Sequence, residues 1–392
     1  MKVSIPTPVS INIPLPSDTQ TASMDDIDTA EKILDDVGEV NSENLMVALK
    51  AQREAINTAP QVDTETAISN SLLEGINNSA LELEILNGWT EGGKAMFSSI
   101  ISGISDNILK DGKVEGIELE DMLQLVLLEA MVNQDKYGLT EYFKKSDVKE
   151  SVEHLLESIG SASHGLHEYE WANEQTLAVA AVYVIDELFK NNPPPKGSLL
   201  DKLITEAGFN KEEKITELYK QIKDNYHKGD GWLIYDNNQV DNTKKAEKVS
   251  PLIAMMITSD ILNKKPDITK EQMNKLLSQD IKEIESVMKD VFSAGGPDSI
   301  RAWINRDNDK WQIQDQNHND TGKHGGQLDW VGNGLNIKDL ENIYNNFPSR
   351  VLSDEDIKDI NRIGDNVKMI MQTLKYWFQI LRDERVAIAR NI

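Results

Sequence analysis

Residues 352–392 read LSDEDIKDINRIGDNVKMIMQTLKYWFQILRDERVAIARNI. Ile357, Ile360, Gly364, Val367, Met371, Leu374, Phe378, Leu381, Arg385 and Ile388 step by three and four, a heptad seam that is apolar except at Gly364 and Arg385. Ser353 is a good N-cap, and Asp354, Glu355 and Asp356 sit where the helix dipole favours negative charge. No proline interrupts the run. A helix of about 38 residues at ~1.5 Å per residue spans ~57 Å, too long for one compact domain to bury. It is expected either to pair with another helix in a coiled coil or to bind something outside the chain. The plainer alternative is a terminal helix that closes the fold. Residues 357–374 are expected to pack within the chain. Leu374, Trp377, Phe378, Leu381, Arg385, Val386 and Ile388 are expected to face another protein, because the chain ends on this aromatic-bearing helix. Arg385 fits that division: a charge inside an internal coil is costly unless paired.

Upstream, helical signals dominate. Residues 25–59 read as two short helices, with Asn41 and Ser42 starting the second. A helix over 63–87 and another over 88–110 follow, the second weakened at Gly92 and Gly93. Residues 117–132 are strongly apolar and read as core; helices are also expected over 146–159, 173–189 and 250–262, with two more over 199–226 separated by Gly208. Residues 269–292 carry a second heptad seam, Leu277, Ile281, Ile284, Met288 and Val291, opened by a capping box of Thr269 and Gln272. The clearest break is 191–197, where three consecutive prolines make a stiff spacer. Short strands are expected only between 230 and 335. One lies at 231–240, and another at 327–331 pairs with 334–337, unless Asn336 instead caps a helix running to Phe347. The expected fold is mainly α: a multi-helix protein with a long C-terminal coiled-coil helix and a small mixed α/β insert. The expected domains are 1–24, 25–190, 198–352 and 353–392, the first an extended, disordered, export-type segment.

That first segment alternates. Val3, Ile5, Val9, Ile11, Ile13 and Leu15 fall on odd positions, and four prolines fall on even ones, which forbids a helix or a central strand. It lacks the continuous apolar region of a secretory signal peptide. Two readings stand: a disordered tail, or an extended segment that adds to a partner's sheet edge.

Composition removes several classes. The 392 residues carry 41 Lys+Arg against 66 Asp+Glu, a formal charge of -25, which disfavours non-specific binding to nucleic acid or anionic membrane. The absence of Cys excludes disulfides, thiolate metal sites and thiol catalysis. No apolar run reaches membrane-spanning length. Residues 107–118 overlay a calcium loop poorly, since Leu109 stands where a ligand is required. His164 and His167 beside Glu168 and Glu170 have i,i+3 spacing, whereas a metal pair on one helix face wants i,i+4. His318 and His324 lie in a polar loop with Asp315 and Asp320. No phosphate loop, nucleophile elbow or zinc-protease signature occurs, so no catalytic, metal or cofactor-binding residue is assigned.

Asp359, Ile360 and Arg362, followed by the Val367, Met371, Leu374, Phe378 seam, are similar to the final helix of the V-antigen class of type III secretion needle-tip proteins. The Asp111-Gly112 turn before an acidic helix start resembles a turn in the invasion-plasmid-antigen D class. The Ser/Thr/Pro/Ile-rich N-terminus also resembles type III export signals. The resemblance implies two long helices in an intramolecular coiled coil, the second being the C-terminal one, which seats the protein on the needle. Its coil partner would be the helix at 269–292, 117–132 or 173–189. The resemblance further implies a secreted, non-enzymatic protein at the bacterial surface, with the needle and pore-forming translocator proteins as partners. An export chaperone and homo-oligomeric assembly belong to the same expectation. The alternatives are a type III effector acting in a host cell and an intracellular helical scaffold.

Overall fold

The computed structural model describes residues 23–42, 44–59, 64–165, 173–191, 193–226, 229–231, 233, 246–292, 296–306, 310–313, 328–331 and 334–390. The extended segment 1–22, nearly all of the strand expected at 231–240, His167, Glu168, Glu170, His318 and His324 lie outside them. The described chain is mainly α. Its helices are α1 (Met24–Asp35), α2 (Leu45–Thr58), α3 (Thr64–Glu91), α4 (Gly93–Ile108), α5 (Ile117–Val132), α6 (Thr140–Phe143), α7 (Ser146–Ser158), α8 (Glu174–Asn191), α9 (Leu199–Ala207), α10 (Glu212–Asn225), α11 (Pro251–Lys264), α12 (Lys270–Leu277), α13 (Ile281–Val291) and α14 (Ile300–Arg306). Strands β1 (Trp311–Ile313) and β2 (Leu328–Trp330) follow, then α15 (Ile337–Asn345) and α16 (Asp354–Arg390).

Local chemistry accounts for many boundaries. Ser23 and Asp26 form a capping box at α1, and Thr269 and Gln272 form one at α12. Ser198, Ser250 and Asn336 each cap a helix through the side chain, and Pro251 occupies the first turn of α11, where its missing N–H costs nothing. Gly208 closes α9 in the left-handed conformation. At Gly88 the crossing of α3 and α4 leaves no room for a side chain: an added Cβ would lie 2.1 Å from Ser99 Oγ.

Three expectations are corrected. The helix expected over 269–292 is two helices, broken at Gln279, whose φ is 62°, and restarted by Asp280 as N-cap. Glu247–Val249 takes the backbone groups there: Val249 N–H donates to Gln279 O at 3.0 Å and Ile281 N–H to Glu247 O at 2.9 Å. The three-and-four spacing thus runs through a turn. The mixed α/β insert reduces to one antiparallel ladder with Trp311 opposite Trp330 and Ile313 opposite Leu328. β2 pairs with β1 rather than with 334–337, because Asn336 caps α15. The break at 191–197 does not separate domains. The chain divides into unit 1, Met1–Ala80 with Asn361–Ile392, and unit 2, Leu81–Ile360. Helices on both sides of the prolines share one core, α8 packing on α10 and α9 on α5.

Unit 2 is built around α5. Every residue from Leu119 to Val132 is buried, as expected of a helix that is apolar nearly all round. Helices α4, α7, α9, α10 and α11 pack against it. Its four buried polar residues, Glu120, Asp121, Gln124 and Glu129, each require partners in a medium that cannot hydrate them. At the start of α16, fully buried Arg350 donates to Asp356 Oδ2 at 2.8 Å and lies over the Trp89 ring.

Candidate functional site

In unit 1 the C-terminal part of α16 lies with α1, α2 and the first part of α3. Gln52, fully buried on α2, donates from Nε2 to Val367 O at 2.8 Å. Gly364 faces Leu45, where an added Cβ would lie 3.7 Å from Leu45 Cδ2, and Gly75 of α3 faces Ile370 at the same spacing. Lys375 pairs with Asp35 at 2.5 Å, and Arg382 pairs with Asp28 at 2.6 Å and with Glu31. The buried face of α16 is Ile363, Val367, Ile370, Met371, Leu374, Trp377, Phe378 and Leu381. Within unit 1 the helices beside this face are α1, α2 and the first part of α3. Within unit 2, Lys270 at the start of α12, in the expected partner stretch 269–292, pairs with Asp359 of α16 at 2.5 Å.

Four of the seven residues expected to face another protein are buried within this chain. Leu374 and Phe378 are fully buried, Leu381 is 2% exposed and Trp377 7%. Trp377 and Phe378 stack with ring centroids 5.6 Å apart. These side chains are spent on the chain's own core, because α1 and α2 supply the apolar faces that a foreign helix would otherwise provide. Arg385 and Val386 are half-buried. The side chain of Ile388 lies outside the described residues. Ile357, expected to pack inside, is 48% exposed.

The same helix carries a second stripe. Met369 is 59% exposed, Tyr376 66% and Ile380 38%. They are spaced by seven and four, so they lie along one side of the helix. The signal was present in the sequence, hidden by the stronger seam beside it.

A buried polar junction in unit 2 is the densest chemistry among the described residues. The loop after α7 folds back on the N-terminal end of α5. Gly160 N–H donates to Glu120 Oε2 at 3.0 Å; Ser161 N–H and Oγ–H donate to the two oxygens of Asp121 at 2.8 and 2.7 Å. His164 is 1% exposed. Its Nδ1 lies 2.6 Å from Tyr226 O, an acceptor, so that nitrogen carries a proton. Its Nε2 lies 2.7 Å from Glu120 Oε2. The imidazole stacks on the Tyr226 ring at 4.1 Å and an interplanar angle of 6°. Gln221 donates to Glu120 Oε1 at 3.0 Å, and Tyr226 OH donates to Ser158 O at 2.9 Å. Gly231 is required here, because a Cβ would fall 1.8 Å from His164 Nδ1.

Burial pushes the Asp121 carboxyl up to about 7, against the donors of Ser161 that hold it down. Burial pushes the His164 imidazole down, but Glu120 and Tyr226 O outweigh it and the net direction is up. On the same helix, burial pushes Glu129 up to about 7, against the donors of Tyr137, Ser98 and Asn133. Tyr137 OH donates to Glu129 Oε1 at 2.7 Å and Ser98 Oγ–H to Oε2 at 2.8 Å.

Both His164 ring nitrogens are engaged, which leaves no lone pair for a metal ion. Among the described residues no group of three His, Asp or Glu could hold one. Glu118 Oε1 pairs with Lys248 at 3.4 Å, so one oxygen the calcium pattern would use is engaged elsewhere. No helix of the described residues is long and apolar enough to cross a membrane. No family model, curated protein or solved structure matched this chain.

Proposed function

We propose that this chain is a non-enzymatic assembly protein of the type III secretion needle-tip or hydrophilic translocator class, exported to the bacterial surface. The observation that carries the reading is the α16 stripe of Met369, Tyr376 and Ile380, exposed on a helix whose other face is already satisfied by unit 1. A long helix fixed on one side offers a partner a rigid, pre-ordered apolar edge, which lowers the entropy lost on binding. The contact with the needle then runs through that stripe, and Leu374, Trp377, Phe378 and Leu381 support it from beneath. The charge of -25 keeps free subunits apart before assembly. The export-type composition of residues 1–22 and the lack of Cys agree with the same reading.

The test has two arms. Fusion of residues 1–25 to a reporter should give type III export of the reporter. The variant Met369→Ser/Tyr376→Ser/Ile380→Ser should remain exported and folded yet lose needle assembly. Normal assembly of the triple variant removes α16 as the contact, and failure of the reporter to leave the cell removes the class.

A further inference from the structure

Among the described residues two non-glycines have a positive φ, Ala162 at 60° and Gln279 at 62°. Both sit in the buried polar junction of unit 2. The left-handed region disfavours any residue with a Cβ, so it persists only where the surroundings impose it. Here polar contacts do so. Ala162 N–H donates to Asp230 O at 3.1 Å, and His164 N–H to Gly231 O at 2.9 Å. Gln279 Nε2 donates to Val249 O at 2.7 Å and to Asp121 Oδ2 at 3.5 Å. Gly160 approaches α5 so closely that a Cβ would lie 2.7 Å from Asp121 Oδ1. The loop after α7 is thus held in a bent, strained form by what it bonds to, and Asp121 is its main anchor through Ser161.

The charges at this anchor do not balance. Glu120 and Asp121 are consecutive carboxylates, both 0% exposed, and His164 is the only fully buried cation beside them among the described residues. Lys248 acts on Asp121 from the stretch before α11, but its ammonium is partly exposed and pairs with Glu118 at 3.4 Å. The end of α10 brings Gln221 and Tyr226, and the turn before α13 brings the Gln279 amide, all neutral. Glu157 of α7 and Glu174 of α8 act on Tyr226 and add further negative charge. Two carboxylates against one cation cannot both ionise cheaply in a site closed to water. A proton on Asp121 Oδ2 removes the imbalance. The Ser161 hydroxyl, 2.7 Å away, then turns from donor to acceptor, and Oδ1 keeps the Ser161 N–H at 2.8 Å. Ionised, Asp121 repels Glu120, the next carboxylate on the helix, and the strain at Ala162 favours release.

We propose that residues 160–164 form a proton-controlled latch, docked on α5 while Asp121 is protonated and released when Asp121 ionises beside Glu120. The device lies within unit 2 and does not rest on the α16 stripe or on the assembly reading. Its sense follows from the docked loop raising Asp121 from 3.8 to about 7: docking is strongest in acid and weakens as pH rises between those values. Hydrogen exchange of the full chain, read by mass spectrometry at pH 5.0 and 7.5 and corrected for the intrinsic rate, tests it. Peptides covering residues 160–165 are expected to be at least about tenfold more protected at pH 5.0, and to change more than those of α9 in the same unit. Asp121→Asn puts a neutral amide where the protonated acid stood, and is expected to remove most of that difference. Equal corrected protection of the loop at the two pH values overturns the proposal. So does a loss across α9 as large as that of the loop, which is unfolding of the unit rather than release of a latch. An undiminished pH response in Asp121→Asn overturns it as well.

Discussion

Single residues set the pH behaviour of this chain. Asp121 and Glu129 are held up at about 7 in the fold, against ordinary values of 3.8 and 4.5. Between those limits the folded chain keeps protons that the unfolded chain has released. Stability is therefore highest on the acid side and falls as pH rises, until both groups ionise near 7. His164, with a raised value, adds in the same direction. The slope is at most about 1.4 kcal/mol per pH unit for each group. Asp356 acts in the other sense. Burial pushes it up, but Ser353 and Arg350 outweigh that and hold it below the usual carboxylate range, so its contribution is lost only in strong acid. Urea midpoints measured from pH 5 to pH 8 are expected to fall, and Glu129→Gln is expected to flatten the curve. A flat wild-type curve contradicts the assignment. Gly231→Ala must displace His164 from Glu120 and is expected to cost about 1–3 kcal/mol by the same measurement. The buried partners of His164 could not be read from the sequence: Glu120 and Tyr226 lie 44 and 62 residues away.

At the scale of the element, α16 has two faces with different work. Phe378→Ala opens a cavity in unit 1 and is expected to cost about 3–5 kcal/mol, whereas Tyr376→Ser, two positions away, is expected to change stability by less than about 0.5 kcal/mol. Chemical denaturation of the two variants decides this; equal losses would mean that the faces are misassigned. Helical existence was legible because capping residues and a 3.6-residue period act locally. Residues 117–132 were placed to the residue for that reason, and α16 nearly so. The 269–292 stretch misled for the complementary reason. Periodicity records which side chains are buried, and the turn at Gln279 keeps them buried while the backbone bonds go to 247–249.

On the scale of the whole molecule, the chain's two ends belong to one unit and its middle to the other. Each has its own core, with Phe378, Leu374 and Ile27 in unit 1 and the α5 leucines in unit 2. Calorimetry is expected to resolve two transitions, with Phe378→Ala lowering one and Leu127→Ala the other. A single transition moved equally by both variants would show that the units unfold together. The amino-acid order by itself determined most of the helices, several of their caps, the absence of thiol chemistry and the long apolar seam, because these depend on neighbours within a few positions. Only the tertiary structure decided which helices cover that seam. It also set Trp311 opposite Trp330 and closed a polar junction around His164. Those outcomes depend on long-range pairings whose energies are shared among residues tens to hundreds of positions apart. The seam of α16 shows the difference: its spacing announced that it would be buried, and α1, α2 and α3 determined by what.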